Sequence, residues 1–340
     1  MLAIGIWDGH GMKSTIYDVA QRSGVSVATV SRYLNRSSQV KAETVRNIED
    51  AIATLDYSPR KKRATHRSMM IGVIAPTLND SFSLEILEGI RAACGLHHYK
   101  LTVQPSYWNL HKEEEQLRIF KQQKLDAVIV VIGFCPLEMV KEIMTDTPVL
   151  FVCRDKNDWY PVLWSDNVIG GRLATNHLIQ LGHSHIAHIT GPDSSLDSND
   201  RLTGYRQSLE ASGMKIDNRL VVRGDFSLEG GYRAMKSLLK RGVKFSGVFI
   251  ANDLSAFGAM RALNEHGLQV PSDISVVGFD DHAMCDYYIP KLTTIKQPLF
   301  DIGKHAYSTV LNLMREQPAE SFKSTFELVV RNSTERIEEH

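Results

Sequence analysis

The sequence predicts an α/β protein with a small three-helix head and a body of two lobes, each built on a doubly wound parallel sheet. Three observations support this fold class. The chain has 340 residues, 43% of them hydrophobic and 23% charged, so it is too long for one ordinary core and too apolar to be disordered. Residues 12–67 carry 11 basic and five acidic side chains, although the formal net charge of the whole chain is zero. From residue 70 onward, short apolar runs alternate with helical segments.

The head begins with two short helices that are joined by a tight turn. Thr15 has the position of a helix N-cap, Gly24 interrupts the first helix, and Ser26 is placed to cap the second. A third helix follows, because apolar residues recur at helical spacing over residues 45–55. This order predicts a helix-turn-helix over residues 12–59, although many small helical bundles share the pattern.

The second helix of the head carries side chains that are suited to reading DNA. Its small N-terminal residues can approach base edges, its hydroxyl groups can bind phosphates, and Arg32 can reach a guanine edge or a phosphate. A basic segment on an otherwise acidic chain favours a polyanionic partner at that end. The DNA-binding candidates in this helix and its cap are Ser26, Val27, Ala28, Thr29, Ser31 and Arg32.

The body is predicted to alternate strands and helices. The predicted strands are 70–75, 101–104, 127–132, 149–153, 186–190, 247–251 and 274–278, and the predicted helices are 85–99, 111–124, 170–181, 201–212, 228–241 and 254–266. Consecutive βαβ units form parallel sheets, and a body of about 270 residues is enough for two of them. Ligands of such folds bind beyond the carboxyl ends of the strands.

Polar and aromatic side chains recur directly after these predicted strands. Carboxylates, amides and guanidinium groups can hold hydroxyls, and aromatic rings can stack on the faces of sugar rings. The residues therefore predict a carbohydrate-binding site between the lobes. Its candidate residues are Asp80, Phe82, Arg154, Arg201, Phe226, Asn252, Asp253 and Asp280.

Other features of the sequence argue against several classes of protein. The four cysteines lack metal-binding spacing and are expected to be reduced core thiols. No apolar run approaches the length of a membrane span, and the unassigned tail 1–11 lacks the pattern of a signal peptide, so a cytoplasmic protein is expected. No nucleotide-binding loop or catalytic motif is found, so no enzymatic activity, cofactor or metal is expected, and His183, His185 and His188 are assigned structural roles.

Both parts of the chain resemble the lactose-repressor (LacI/GalR) family of bacterial transcription regulators. The stretch 15–35, TIYDVAQRSGVSVATVSRYLN, is similar to the family's DNA-binding signature. In the body, LGH at 181–183, RLTGY at 201–205, IAND at 250–253, VVGFDD at 276–281 and LTTIKQP at 292–298 are similar to its sensor motifs. The resemblance implies a periplasmic-binding-protein-like sensor over residues 70–340, in which the chain crosses between the lobes three times.

The resemblance also implies lobe boundaries and further site residues. The N-terminal lobe would comprise residues 70–166 and 296–324, and the C-terminal lobe residues 167–292 and 325–334. The helix from Ser26 would enter the major groove, with Val27, Ala28 and Arg32 at base-reading positions. The residues that the resemblance adds are Thr15, Tyr17 and Asn35 for DNA and Gln297 for the effector.

The segment 60–69 departs from the family pattern. Relatives use a hinge helix whose leucine inserts into the minor groove, but this chain has no leucine between positions 55 and 78. Two interpretations stay open, a solvated basic linker and an atypical hinge that orders on DNA. Met69 or Met70 could replace the leucine, although each more simply begins the next strand. The basic candidates for phosphate contacts here are Lys61, Lys62 and Arg63.

Two departures concern the ligand. Asp80-Ser-Phe-Ser83 stands where relatives commonly have Asn-Pro-Phe-Phe, and Cys153 stands where they have an acid. With Arg154 and Arg201 present and that acid missing, a sugar acid or sugar phosphate is a candidate effector beside a neutral sugar.

The predicted function is a ligand-responsive repressor of a carbohydrate-use operon that binds a palindromic operator as a homodimer. The alternatives are a cytosolic sugar sensor with degenerate DNA binding and a carbohydrate-binding receptor. Leu84, Leu87 and Ile90 form either a dimer face or part of the core. Residues 331–340 carry no leucine heptad, which argues against a tetramer.

Overall fold

The computed structural model describes residues 16–34, 41–55, 57, 68–78, 80–95, 98–154, 160–315, 317, 322 and 325–337. The chain divides into two compact units, residues 1–66 and 67–340. The predicted DNA-binding residues that lie outside the described residues are Thr15, Asn35, Lys61, Lys62 and Arg63.

The head consists of three helices, α1 (Ile16–Ser23), α2 (Val27–Leu34) and α3 (Ala42–Thr54). Gly24 has a φ of +69°, a left-handed conformation that glycine adopts without strain, and it turns the chain between α1 and α2. Ser26 caps α2, since its Oγ accepts a hydrogen bond from the Thr29 backbone N–H at 3.2 Å. The buried core of the head consists of Val19, Ala20, Val30, Ile48 and Ala51.

The first lobe of the body is built on a parallel sheet with strand order β2-β1-β3-β4-β5. Helices α4 and α11 cover one face of this sheet and helices α5 and α6 the other, so the sheet is buried on both sides. The elements are β1 (Met70–Ala75), α4 (Ser81–Cys94), β2 (Lys100–Pro105), α5 (Leu110–Gln122), β3 (Ala127–Val131), α6 (Leu137–Ile143), β4 (Val149–Val152), β5 (Val162–Leu163) and α11 (Leu299–Met314).

The second lobe has a sheet with strand order β11-β10-β9-β8-β6-β7, parallel except for the antiparallel pair β10–β11. Helices α9 and α10 pack on one face and helices α7 and α8 on the other. The elements are α7 (Asn167–Gln180), β6 (Ile186–Thr190), α8 (Leu196–Ala211), β7 (Val221–Arg223), α9 (Leu228–Lys240), β8 (Gly247–Ile250), α10 (Asp253–Glu265), β9 (Ser275–Asp280), β10 (Thr293–Lys296) and β11 (Glu327–Val329).

This architecture confirms the predicted fold class and corrects several boundaries. The first body helix begins at Ser81 instead of Glu85, so Phe82 lies in its first turn and not in a loop. Helix α8 begins five residues before Arg201, which places that residue inside a helix. Strand β9 runs on to Asp280, which was expected to follow the strand. The ends of these helices and strands depend on side-chain hydrogen bonds and helix packing, which the local spacing of apolar residues does not reveal.

The positions of Met69 and Met70 in the fold do not favour a role for either residue as a substitute for the leucine that relatives insert into the minor groove. Met70 begins β1, and Met69 packs against the core of the first lobe. The Asp126 carboxylate also accepts hydrogen bonds from the backbone N–H groups of Ser68 and Met69, at 3.1 and 3.0 Å. These contacts attach the start of the body to its own sheet.

Candidate functional site

Arg201 lies at the centre of the predicted ligand site in the second lobe, and only 3% of it is exposed. Its Nε donates to Asn167 Oδ1 at 2.9 Å, its Nη1 donates to the backbone carbonyl of Ala251, and its guanidinium lies 3.7 Å from the ring centroid of Phe279. Nη2 makes no hydrogen bond to any described residue. The charge is therefore held in one orientation, with one donor nitrogen left for a ligand.

Close helix packing places Arg201. A Cβ at Gly171 in α7 would collide with the backbone carbonyl of Arg201, and a Cβ at Gly204 would collide with the backbone of α7. The two glycines therefore let α7 and α8 approach closely, which brings Arg201 within hydrogen-bonding distance of Asn167.

Asp280 lies beside Arg201 at the end of β9. One carboxylate oxygen accepts a hydrogen bond from Gln297 Nε2 at 2.7 Å and lies 3.9 Å from Arg201 Nη1. Burial raises the pKa of Asp280 to about 8, and the nearby Asp253 carboxylate adds to this effect, although Arg201 opposes it. The carboxyl group is therefore largely protonated at neutral pH and can both donate and accept hydrogen bonds.

Sequence reasoning missed Asn167 and Asp197, which complete this group. Asn167 donates from Nδ2 to Asp197 Oδ1 at 2.9 Å, so it links Asp197 to Arg201. Both residues begin helices that follow strands, as the other candidates do. The signal was hidden because β5, the strand before Asn167, has only two residues.

Phe226 and Asn252 follow β7 and β8, the two strands that flank β6 in the second lobe. Asn252 caps α10 by accepting from the Ser255 N–H at 3.1 Å, and it donates to the Phe226 carbonyl at 2.9 Å. Phe226 has a φ of +64°, unusual for an aromatic residue, and its ring lies where a Cβ of Gly191 would be. These contacts fix the ring near Arg201, whose guanidinium is 5.8 Å from its centroid.

Asp253 is fully buried and acts as an anchor between elements. Its two carboxylate oxygens accept hydrogen bonds from the Thr294 hydroxyl at 2.7 Å and from the His282 N–H at 2.8 Å. The Cys285 thiol also donates to it, at 3.2 Å. Burial raises the pKa of Asp253 to about 6, against the effect of these donors. Both oxygens of this predicted ligand residue therefore accept hydrogen bonds from the protein, whereas only one oxygen of Asp280 accepts a hydrogen bond from a described residue.

The first lobe contributes Asp80 and Phe82. Asp80 caps α4, because its carboxylate accepts from the Ser83 N–H at 2.7 Å and from the Ser83 hydroxyl at 3.2 Å. Phe82, one turn into the helix, is half-buried and packs against the core of this lobe. Both side chains thus have positions set by the start of α4.

Arg154 and Cys153 follow β4 in the first lobe. Arg154 Nη2 donates to the Cys135 carbonyl at 2.8 Å, and its guanidinium lies 4.6 Å from the ring centroid of Phe151. Buried Glu113 supports this arrangement by accepting from the N–H groups of Phe134 and Cys135 at 2.7 and 3.0 Å. Arg154 is therefore bound within its own lobe.

The two lobes meet at these side chains. Burial raises the pKa of the Cys153 thiol well above its usual value, and Asp197 and Asp280 of the second lobe reinforce that shift, while Arg201 opposes it. Asp80 in turn interacts electrostatically with His282 of the second lobe. We define the interlobe site as the predicted ligand residues and their neighbours at the strand ends of both lobes, namely Asp80, Phe82, Cys153, Arg154, Asn167, Asp197, Arg201, Asp280 and Gln297. Of these, Cys153 interacts across the lobes with Asp197, Arg201 and Asp280.

Among the described residues of the head, the predicted DNA-binding residues lie in α1, in α2 or at the cap of α2. Tyr17 is in α1, and Val27, Ala28, Ser31 and Arg32 are in α2. Ser26 Oγ lies 2.9 Å from Thr29 Oγ1, so these two hydroxyls sit together at the start of α2. A helix N-terminus with clustered hydroxyls is a suitable site for a phosphate group.

The histidines that were assigned structural roles contact other residues of the second lobe. Within the described residues there is no cluster of metal-ligating side chains and no helix long and apolar enough to cross a membrane. His183 Nδ1 lies 2.9 Å from Ser246 Oγ, and His188 Nδ1 lies 2.8 Å from the Phe249 carbonyl oxygen. Both histidines thus join elements of the second lobe.

Comparison with known proteins identifies both units. Residues 15–60 match the family described as bacterial regulatory proteins, lacI family, and residues 175–334 match the periplasmic binding protein-like domain. The HTH-type transcriptional regulator RegA of Clostridium saccharobutylicum is 34% identical over 332 residues, which cover 95% of this chain and all of that protein.

Two solved structures are similar over nearly the whole chain. The complex of the transcriptional regulator CelR with cellobiose has a TM-score of 0.72 and 29% identity, and the match covers 94% of this chain and 99% of that one. The lac repressor dimer bound to operator and the anti-inducer ONPF has a TM-score of 0.71 and 31% identity, over 95% of this chain and all of that one. With its head, its two lobes and a full-length relative at this level of identity, the chain belongs to the lacI family of bacterial regulatory proteins.

Proposed function

We propose that the protein is a ligand-responsive transcription repressor that binds operator DNA through its head and a carbohydrate effector at the interlobe site. The observation that carries this proposal is the buried pair Arg201–Asp280, 3.9 Å apart, whose members are hydrogen-bonded to Asn167 and Gln297 and interact with Cys153 of the other lobe. Such a pair offers donors and acceptors that match sugar hydroxyls, and any ligand bound to it touches both lobes.

The effector class best matched by the site is a neutral sugar. The acids Asp80, Asp197 and Asp280 line the site, and Arg201 is already bound to Asn167 and to the Ala251 carbonyl. A sugar acid or sugar phosphate would place its negative charge close to Asp80 and Asp197, which is unfavourable, whereas the largely protonated Asp280 can exchange hydrogen bonds with sugar hydroxyls. The cellobiose bound by the similar CelR regulator supports the assignment to sugars.

The DNA-binding role falls to α2 and the residues around it. Ser26 and Thr29 are placed to bind a phosphate at the start of α2, while Val27, Ala28 and Arg32 would contact base edges. The contacts assigned to Thr15, Tyr17, Asn35 and the basic residues 61–63 complete this proposal. The head would span residues 12–59 and the linker residues 60–69.

Regulation would follow from a change in lobe orientation. Two copies of the chain on a two-fold axis would present two heads to a palindromic operator, as the lac repressor dimer is bound to its operator. A sugar between the lobes would favour one orientation, and its effect on DNA binding cannot exceed its differential affinity for the two states. This mechanism requires a protein that resides in the cytoplasm.

The proposal is tested by selecting bound sequences from a random DNA pool with the full-length protein, with and without cellobiose, D-glucose and D-ribose. Recovery of a two-fold symmetric site that one of these sugars releases is the expected result. Enrichment of no sequence under any condition would contradict the proposed repressor function.

Two variants separate the functions of the two units. Arg32→Ala should weaken binding to the selected operator by about tenfold or more and leave sugar binding unchanged, because it removes one contact to DNA. Asp280→Ala should abolish release by sugar and leave operator binding intact. Equal damage to both activities by both variants would contradict separate DNA and effector sites.

A further inference from the structure

His282 lies directly beyond the strand end that carries Asp280, in a segment of unusual backbone conformation. Asp280 and Asp281 have φ values of +113° and +60°. Such values are costly for residues other than glycine and persist only where surrounding contacts enforce them. Here Asp253 accepts the His282 backbone N–H at 2.8 Å, and Arg331 binds the Asp281 carboxylate at 2.8 Å. The backbone is therefore bent and fixed so that His282 has one defined position.

The imidazole of His282 is held in one tautomer. Its Nδ1 accepts a hydrogen bond from the Met284 backbone N–H at 2.9 Å, so this nitrogen carries no proton. The ring also makes an edge contact with Phe257, with centroids 6.0 Å apart. The proton of the neutral imidazole must then be on Nε2, which makes no hydrogen bond to any described residue. A half-buried side chain thus presents one N–H donor that the protein does not use.

Asp80 of the first lobe is close enough to His282 for the charges of the two side chains to interact. Burial lowers the pKa of His282, and the Asp80 carboxylate opposes that shift. Burial likewise raises the pKa of Asp80, while its hydrogen bonds from Ser83 and the charge of His282 oppose that shift. Asp80 is itself fixed, because Ser83 binds both of its oxygens, yet each oxygen has a second lone pair. Each lobe therefore carries one group held by its own hydrogen bonds, a donor on His282 and an acceptor on Asp80, and the two side chains interact electrostatically.

We propose that His282 is an effector-binding residue: its Nε2–H donates to a sugar hydroxyl, and that hydroxyl donates to the Asp80 carboxylate. A hydroxyl is the ligand group that can accept from one partner and donate to the other at the same oxygen. This inference rests on the proposed function, because it assigns one further contact to the carbohydrate effector. One hydroxyl then connects the two lobes, and sugars that lack it, or carry it in the opposite configuration, bind less tightly.

The chain offers a matched pair of substitutions at this position. Asparagine can place its amide oxygen where Nδ1 is, so His282→Asn keeps the acceptor for the Met284 N–H and removes the Nε2 donor. Glutamine can place its amide nitrogen near Nε2, so His282→Gln keeps the donor and loses the acceptor. The two variants therefore separate ligand binding from support of the local fold.

The experiment uses full-length protein. A thermal-shift assay with cellobiose, D-glucose and D-ribose first identifies which of these sugars stabilises the wild type most, and calorimetric titration with that sugar follows. His282→Asn should weaken binding by about tenfold, the effect of one hydrogen bond, whereas His282→Gln should stay within about threefold of the wild type. Asp80→Asn, which retains the helix cap, should also weaken binding. The double variant Asp80→Asn, His282→Asn should bind the sugar only slightly more weakly than the single variant that loses more affinity, because both residues bind the same hydroxyl.

The outcomes distinguish this inference from the proposed function. If the wild type binds one of the sugars and His282→Asn binds it equally well, the role of His282 is wrong and the carbohydrate effector stands. If the wild type binds none of the three, the carbohydrate proposal and this inference fall together. If His282→Asn does not fold, as judged by its urea unfolding curve, undiminished sugar binding by Asp80→Asn would refute the bridging hydroxyl.

Discussion

The two sides of the interlobe site are built differently. In the second lobe, Arg201, Asp280 and Gln297 are each less than a tenth exposed and form a connected network of hydrogen bonds and charge contacts. In the first lobe, Asp80 binds Ser83 of its own helix, and Arg154 binds the Cys135 carbonyl beyond β3. The second-lobe side is therefore fixed before a ligand arrives, and the first-lobe side consists of separate contacts.

This difference indicates a division of roles between the lobes. A preorganised buried network binds the part of a ligand that all suitable effectors share, because changing any member disturbs the others. Independent side chains can vary singly without disturbing a network. Consistent with this, both departures from the family pattern at the ligand site, the 80–83 segment and Cys153, lie in the first lobe. The following predictions test this division.

Loss of Arg201 should have the largest effect. Arg201→Ala removes the donors to Asn167 and to the Ala251 carbonyl, leaves these buried acceptors unpaired and opens a cavity, so the free energy of unfolding should fall by about 3–5 kcal/mol. Urea unfolding monitored by circular dichroism measures this change. Arg206→Ala, an exposed position on the same helix, is the matched control and should change stability by less than about 0.5 kcal/mol. Equal stability of the two variants would mean that the network is not preorganised.

A methyl group at Gly191 should disturb the second-lobe side by a smaller amount. Gly191→Ala places a Cβ against the ring of Phe226, so the ring must move, at a cost of about 1–3 kcal/mol in the free energy of unfolding. Thermal unfolding measures the loss. The same substitution at Gly95, which has open space and a helical φ of −58°, should leave stability unchanged or slightly raised. In a Phe226→Ala background, Gly191→Ala should cost much less free energy of unfolding, because the ring that it collides with is absent. If the effects of the two substitutions simply add, this packing is wrong.

An acid at position 153 should have a modest effect on the first-lobe side. The φ of +57° at Cys153 suits Asp or Asn, so the backbone tolerates either residue. Cys153→Asp adds a carboxylate near Asp197 and Asp280, and at pH 8 it should be less stable than Cys153→Asn by about 1 kcal/mol. Paired urea titrations of the two variants give the difference. A more stable Asp variant would show that Arg154 and Arg201 dominate the charge of the site.

Asp280→Asn should disturb the packing of the site least, because an amide replaces a largely protonated carboxyl group of the same shape, and it should alter the dependence of stability on pH. Burial raises the pKa of Asp280 to about 8, so the folded protein keeps this proton over a range in which the unfolded chain has released it. Since the folded state binds more protons between about pH 4 and pH 8, raising the pH lowers stability there. The variant should lose less stability than the wild type from pH 5 to pH 8 in urea titrations. Asp301→Asn, an exposed carboxylate on α11, is the control, and parallel curves for wild type and Asp280→Asn would contradict the shift.

The sequence predicted the alternation of strands and helices and most residues at the strand ends, because each depends on local patterns of a few residues. It missed β5, β10 and β11, which have two to four residues and are too short to show periodicity, and it predicted no helix at α6 or α11. It left Ile90 open as a dimer-face residue, whereas packing of α4 against α11 buries it completely. Leu84, on the same helix, is 47% exposed, which is consistent with the dimer face.

By itself, the sequence determined the fold class, the helix-turn-helix with its Ser26 cap and the family, since these follow from short motifs and periodicity. Only the tertiary structure decided which polar residues are used within the protein and which are open to a ligand. Asp253 and Asp280 look alike in sequence, yet Asp253 has its acceptors filled by Thr294 and His282, while Asp280 keeps acceptor capacity beside Arg201. The physical reason is that hydrogen-bond saturation and desolvation depend on neighbours distant in sequence, which fold together from several strands and both lobes.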